Sequence, residues 1–399
     1  MAPKEESPTT LRIRLDNVVK NILVLLLSLI LVLGICEIIL RVYNPLGFRI
    51  KGDKIILPVN KKEIIYHEGS AKLDRVVVDQ SNSLGFRGPE PPRNFADWLT
   101  IITVGGSTTE CYDLSEDQTW PHQLEEKLRH GFKRTWVNNA GFCGYSTFGN
   151  IILVKDFIVK LNPKVLIFLV GINDLGVGAA REYDTRLKTL NFRSLERMLA
   201  SLANYSELAA ASLNIYRYYF PKSVIAVAAR EMGEIDLKSY SNLEVTTDRK
   251  QAIKQLHREK YLKPFGARIQ ELIALSRKHG MEPVFLTQPV LYGPGVDNLT
   301  GINLATLRVT DDLNGDLGWE VLELYNNVVR QQGKEADVLV IDLAREMPKN
   351  SAYYYDLMHY TNGGAALVAD IVAAHLTPFL ARKFPAYYQG APTPALTIP

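Results

Sequence analysis

Residues 99–110 read LTIITVGGSTTE, an apolar, β-branched run that stops at two glycines and continues into a cluster of hydroxyl side chains. A short run with almost no polar interruption, closed by glycine, reads as a strand buried on both faces and followed by a tight turn. Strands of that kind belong to parallel sheets covered by helices, so strand and helix should alternate along the chain on either side. They do. Further strands are expected at 136–139, 164–170, 282–287 and 338–342, and helices at 121–129, 149–161, 265–278, 319–332 and 363–376. Right-handed crossovers between such strands give a doubly wound α/β domain with a mostly parallel five-stranded sheet, placed at residues 96–385. Residues 178–260 break the rhythm with a long, largely helical insertion containing SLERMLASL and YSELAAASL. Because it follows the third strand directly, the insertion is expected beside the site at that end of the sheet. Upstream, residues 43–95 carry short apolar runs (KIILPV, EIIYH, RVVVD) that read as short strands in a linker, and residues 386–399 read as a C-terminal tail.

The N-terminal stretch has a different character. Residues 22–36, ILVLLLSLILVLGIC, hold no charge, and apolar residues extend the run to 18–42. Roughly 20 apolar residues at 1.5 Å each cover a hydrocarbon core of about 30 Å. One transmembrane helix after a short tail (residues 1–17) is the reading, with a cleaved signal peptide or a buried core helix as the competing ones. Lys4, Arg12, Arg14 and Lys20 before the span balance Arg41, Arg49, Lys51 and Lys54 after it, so the charge rule does not orient it. A single span ahead of the whole globular domain has the shape of a signal anchor, which favours an extracytoplasmic domain.

Composition narrows the function classes. With 46 Lys+Arg against 43 Asp+Glu, a net charge of +3, and 47% hydrophobic residues, the chain is globular and offers no electrostatic footprint for nucleic acid. Three cysteines, Cys36, Cys111 and Cys143, are too few for a disulfide scaffold and lack zinc-site spacing. Cys111 and Cys143 adjoin loops that should converge, so a bridge between them is conceivable in an oxidising compartment, against the plainer reading of two small buried residues.

Ligands of open α/β sheets sit beyond the carboxyl ends of the strands. After the first strand comes GGSTTE with Ser107; it lacks the GK[ST] ending of a phosphate loop and is not a G-x-S-x-G elbow. After the second comes NNAGFCGYST with Gly141 and Gly144, and after the third GINDLG with Asn173 and Asp174. Taken alone, the glycines would serve a loop with positive φ and the Asn-Asp pair a helix N-cap. DLMHYTNGG, with Asp356 and His359, precedes the last helix. Together a serine, a glycine N–H, an asparagine amide and an Asp/His pair make the parts list for acyl transfer: nucleophile, oxyanion donors, base and orienter.

These four ordered blocks resemble those of the SGNH hydrolases, or GDSL esterases and lipases, over about residues 98–380. The resemblance implies Ser107 as nucleophile, His359 as base and Asp356 as its orienter. It implies an oxyanion hole from the Ser107 and Gly144 N–H groups and the Asn173 amide. TWPHQLEEKL resembles the family's first helix. Gly106 stands where the family name expects Asp, which bears on turn geometry rather than on the reacting groups. No metal or organic cofactor is implied. The expected activity is a membrane-anchored serine esterase acting on a small-molecule, lipid or glycan ester. An O-acyltransferase using the same acyl-enzyme, or a silent binding protein of the same fold, are the alternatives.

Overall fold

The run from Leu99 forms β3 (Leu99–Gly105), every residue of which is buried. The computed structural model describes residues 8–43, 57–179, 202–203, 205–219, 223–227 and 234–390. These fall into two units, one holding the N-terminal helix with residues 202–216 and the other holding the rest.

In the larger unit, β3 is joined by β4 (Thr135–Gly141), β5 (Val165–Leu169), β7 (Glu282–Leu286) and β8 (Leu339–Ile341). The order is β4-β3-β5-β7-β8, and every neighbouring pair is parallel. Gly105 pairs with both Gly141 and Leu169, so the carboxyl ends of β4, β3 and β5 lie level. The chain first turns one way from β3 to β4 and then crosses back to β5. That switch point opens a crevice between the loops after β3 and β5, where open α/β sheets bind ligands. Ile101, Ile167, Val284 and Ile341 are buried within one core, and Phe168 stacks on Phe285 at 4.9 Å between centroids. A sheet covered on both faces needs such near-continuous apolar strands.

The helices start where their capping residues place them. The short α2 (Ser107–Glu110) follows β3, and α3 (Trp120–Arg129) opens with Thr119 accepting from the His122 N–H and Pro121 in its first turn. Next, α4 (Thr147–Leu153) is prolonged by a π turn (Val154–Ile158) and a last short turn to Leu161. Two sequence-based boundaries move, each beside a proline. The expected helix begins at residue 265, just after Pro264, and the expected insertion ends at residue 260. Instead α6 (Thr247–His257) runs through a π turn (Arg258–Leu262) into α7 (Lys263–Lys278), the wider turn absorbing the missing proline N–H. Downstream, α8 (Gly315–Glu335) and the short α9 (Leu343–Glu346) precede α10 (Asn362–Lys383), which continues past Pro378 instead of stopping near residue 376. This last helix is long and apolar enough to cross a membrane, yet it is largely buried and packs on α3 as a core helix.

A second sheet of three strands stands apart, with β1 (Lys62–Tyr66) antiparallel to β2 (Val76–Gln80) and parallel to β6 (Ser223–Val227). The insertion expected to be helical therefore also supplies a strand; its residues 180–201 and 228–233 lie outside the described ones. The expected tail is shorter, because Gln389 donates to the Gly131 carbonyl and Tyr388 packs its ring against Phe132.

The smaller unit contains α1 (Pro8–Val42), whose stretch Asn17–Val42 is long and apolar enough to span a bilayer. Its leucines and isoleucines stand exposed, Leu25 by 68%. Near its C-terminal end, Glu37 accepts from the Ser206 hydroxyl and from the backbone N–H groups of Glu207 and Leu208, the first turn of α5 (Glu207–Tyr219). Arg41 holds the same carboxylate at 2.8 Å and donates to the Tyr205 carbonyl. Ser206 caps α5 by accepting from the Ala209 N–H, and the Glu37 carboxylate takes up the two remaining N–H groups of the first turn.

Candidate active site

The turn after β3 has room only for glycine. A Cβ on Gly106 would come 2.3 Å from the Asn173 amide nitrogen and 3.2 Å from the Tyr145 carbonyl. The absence of Asp at this position is therefore matched by the close approach of the loops after β4 and β5. Ser107 follows as the first residue of α2. The loop beyond it is held from outside by Arg87, fully buried, which donates to the carbonyls of Glu110, Cys111 and Leu114 and pairs with Asp79 and Glu116 at 3.0 Å each. The Trp120 indole donates to the Thr108 carbonyl. Arg87 sits in LGFRG, where nothing local marks its task.

At the other side, Asp356 folds the segment before α10 around its own carboxylate. Its Oδ1 accepts the backbone N–H groups of Met358 and His359 at 2.8 and 2.7 Å. Its Oδ2 lies 2.5 Å from His359 Nδ1, and His359 Nε2 lies 2.8 Å from the Ser107 hydroxyl. The D-x-x-H spacing is what allows one carboxylate to hold both the backbone and the ring of the same histidine. Burial opposes ionisation of Asp356, but the His359 charge and these hydrogen bonds outweigh it and keep the carboxyl below its ordinary value. Burial likewise disfavours the imidazolium, yet Asp356, with Asp113 and Glu110 farther off, lifts His359 above the ordinary imidazole value. The Tyr355 ring stacks on the imidazole at 5.7 Å, and its hydroxyl donates to Asp113 at 2.7 Å.

Between these, the loops after β4 and β5 meet. Gly144 has φ +77°, a conformation that favours glycine. The Phe142 N–H donates to the Gly105 carbonyl, and Asn173 Nδ2 donates to the Tyr145 carbonyl at 2.9 Å. Asp174 is 1% exposed and is no cap of its own turn; it reaches across to accept from the Thr147 N–H and hydroxyl at the start of α4 and from Arg268 on α7 at 3.1 Å. Arg268 also donates to the Thr147 hydroxyl and lies 4.1 Å over the Phe148 ring. Burial pushes the Asp174 carboxyl up, with Thr147 and Arg268 pulling the other way. Neither Thr147 nor Arg268 carries a sequence signal. Cys111 and Cys143 are not bridged. Cys111 caps α2 at φ +52° with its thiol against the Thr108 carbonyl, and burial first of all pushes that thiol up to about 12.

The expected insertion does reach this end of the sheet in its described part, where the Ile235 N–H donates to the Tyr355 carbonyl. Ser107, His359 and Asp356 form one chain of hydrogen bonds, and Asn173 and the Tyr145 carbonyl lie against Gly106, next to Ser107.

Residues 103–367 match the model of the GDSL-like lipase/acylhydrolase family. No curated protein sequence is recognisably similar. Among solved structures, the acetylxylan esterase Axe2 from Geobacillus stearothermophilus is similar at 13% identity over 70% of this chain and 94% of its own, with a TM-score of 0.39. The α/β hydrolase LAE5 from the metagenome of Lake Arreo, Spain, matches at 11% identity over 70% and 95% of the two chains, TM-score 0.39. The acetyl xylan esterase AlAXEase matches at 14% identity over 69% and 98%, TM-score 0.37. With its family model covering well over half of its length, the chain belongs to the GDSL-like lipases and acylhydrolases, serine hydrolases acting on ester bonds.

Proposed function

We propose that the protein is a membrane-anchored serine esterase that removes O-acyl groups through an acyl-enzyme on Ser107. The observation that carries this is His359, which bridges Ser107 and Asp356 with one nitrogen toward each. As the substrate carbonyl approaches, His359 Nε2 takes the Ser107 proton while the Ser107 oxygen bonds to the carbonyl carbon. The negative charge that gathers on the carbonyl oxygen is met by the Ser107 and Gly144 N–H groups and by the Asn173 amide, whose oxygen-held position is set through Tyr145 and, next to it in sequence, Asp174. Collapse breaks the bond to the alcohol oxygen, which leaves with the proton from His359. Water then gives its proton to His359 and its oxygen to the acyl carbon, the bond to the Ser107 oxygen breaks, the carboxylic acid leaves, and His359 returns the proton to Ser107. The Asp356 carboxylate, kept ionised, holds the imidazole with Nδ1 protonated and steadies the imidazolium at both steps. The apolar α1 serves as the anchor, with the catalytic unit outside the cytoplasm.

The test is labelling of the full-length protein in detergent with a fluorophosphonate probe, followed by hydrolysis of acetyl, butyryl and long-chain p-nitrophenyl esters and of acetylated polysaccharides. Labelling at Ser107 with matching ester turnover is expected. Turnover that survives in Ser107→Ala would overturn the reading.

A further inference from the structure

A cleft of about 510 Å³ opens beside the catalytic residues, and none of the family's blocks accounts for it. Its volume lies within the roughly 300–1,000 Å³ typical of small-molecule sites. One wall is the stretch from Tyr66 to Leu73, which precedes the residues that match the family; the opposite wall is 234–237 of the insertion. The floor is Asp113. The same residue lines the small pocket that holds Ser107 and His359, so cleft and catalytic serine share a boundary. Through the Tyr355 hydroxyl on Asp113 and the Tyr355 ring on His359, the floor is also fastened to the base.

We infer that this cleft is the alcohol-side subsite of the ester and that it takes the neutral or basic sugar units of an O-acylated glycan. This deepens the esterase reading and rests on it. Three observations carry the assignment. The His67 side chain is only 8% exposed and lines the cleft, yet its Nε2 has no hydrogen-bond partner among the described residues and stands 3.7 Å from Asp113, beyond hydrogen-bond reach. A buried polar atom left so is costly unless a ligand group completes it, and a sugar hydroxyl can accept from or donate to an imidazole nitrogen. Secondly, the lining alternates polar groups with Leu73 and Leu237, and Tyr66 at its edge is 40% exposed. That mixture suits the hydroxyl rim and C–H faces of a pyranose, whereas an acyl chain would strand the polar groups. Thirdly, Glu68, Asp113, Glu234 and Asp236 outnumber Lys72 and His67, which repels uronate or phosphate-bearing partners. The cleft is also built in advance, because Glu234 accepts from the Ser70 hydroxyl and from the N–H groups of Ala71 and Lys72, tying the two walls together.

The experiment uses the full-length Ser107→Ala protein in detergent, titrated with xylotetraose, a chitosan tetramer and tetragalacturonate by calorimetry. The neutral and basic tetramers are expected to bind, the acidic one at least about tenfold more weakly, and His67→Ala to weaken the neutral tetramer by about tenfold. Equal binding of the acidic tetramer, no binding of any, or an unchanged His67→Ala affinity would overturn the assignment. Should His67→Ala fail to fold, the wild-type protein decides: bound xylotetraose is expected to slow fluorophosphonate labelling of Ser107, and an unchanged rate rejects a subsite next to the serine. The two readings fail separately. Absence of labelling without sugar refutes the esterase, while sugar binding to Ser107→Ala needs no turnover.

Discussion

Two buried aspartates stand at the same end of the sheet, and they are partnered in opposite ways. Asp356 faces His359, a group that can lose its charge, and Asp174 faces Arg268, a group that cannot. Each carboxylate also collects backbone N–H groups: Asp356 from Met358 and His359, Asp174 from Thr147. The main difference is the charged partner, although Asp174 also accepts the Thr147 hydroxyl. In the proposed reaction a titrating partner makes Asp356 part of a proton path, in which the ion pair forms and dissolves with each turnover. A permanently charged partner makes Asp174 a clamp, joining the loop that bears Asn173 to the start of α4 and to α7.

The comparison can be broken by substitution, beginning with the largest effect. Ser107→Ala and His359→Ala should each lower ester turnover by about 10⁶-fold, as in other triads, with melting temperature little changed; retained turnover in either would remove the proton path. Asp356→Asn should lose about 10⁴-fold in kcat, because the amide favours the wrong tautomer of His359. If its effect were on folding instead, Asp356 would be a clamp as well. Arg268→Met leaves the Asp174 carboxylate buried without its counter-charge, and a loss of about 3–5 kcal/mol in denaturant unfolding is expected. An unaltered midpoint would show that Thr147 alone suffices. Asn173→Ala should cost about 10²–10³ in kcat with KM nearly unchanged, since the amide acts on charge that develops in the transition state. An effect confined to KM would assign it to substrate binding.

The smallest effect sharpens the electrostatics. The proposed reaction uses neutral His359 as base, and the folded protein raises its pKa, so the imidazolium persists to higher pH than in a free histidine. The acid limb of kcat/KM should lie above the ordinary imidazole value. Replacing Asp113 by Asn removes one of the charges that support the imidazolium and should move that limb to lower pH. A limb that stays in place would show that Asp356 alone sets it.

How far these residues could be read in the sequence follows from how local their signals are. Ser107, Asn173 and the Asp356/His359 pair each lie at the end of an apolar strand or just before a capped helix, with spacings that a single turn can satisfy. The strand positions could be expected for the same reason, since each buried strand is a separate apolar run, whereas their order appears only in the folded sheet. Arg268, Thr147, Arg87, Asp113 and His67 had no such signal. Each acts by reaching a partner far away in sequence, such as Arg87 on the carbonyls of Glu110 to Leu114, and only the folded chain brings them there. The helix limits beside Pro264 and Pro378 were less legible, because helices that bury enough apolar surface continue through a proline. The conceivable disulfide failed on local geometry: the left-handed backbone at Cys111 turns its thiol onto Thr108.

The Glu37 contact has a practical side for anyone producing the enzyme. Deleting the apolar helix is the usual route to a soluble, crystallisable hydrolase, but here it would also remove the acceptor for the N–H groups of Glu207 and Leu208. Loss of a carboxylate at a helix N-terminus costs about 0.3–1 kcal/mol, enough to loosen the first turn of α5 and present the chain around Tyr205 to proteases, although Ser206 still caps it. A truncated enzyme begun after Val42 should be nicked there first, and one carrying Ser206→Asp, which supplies the carboxylate from within, should resist the cut.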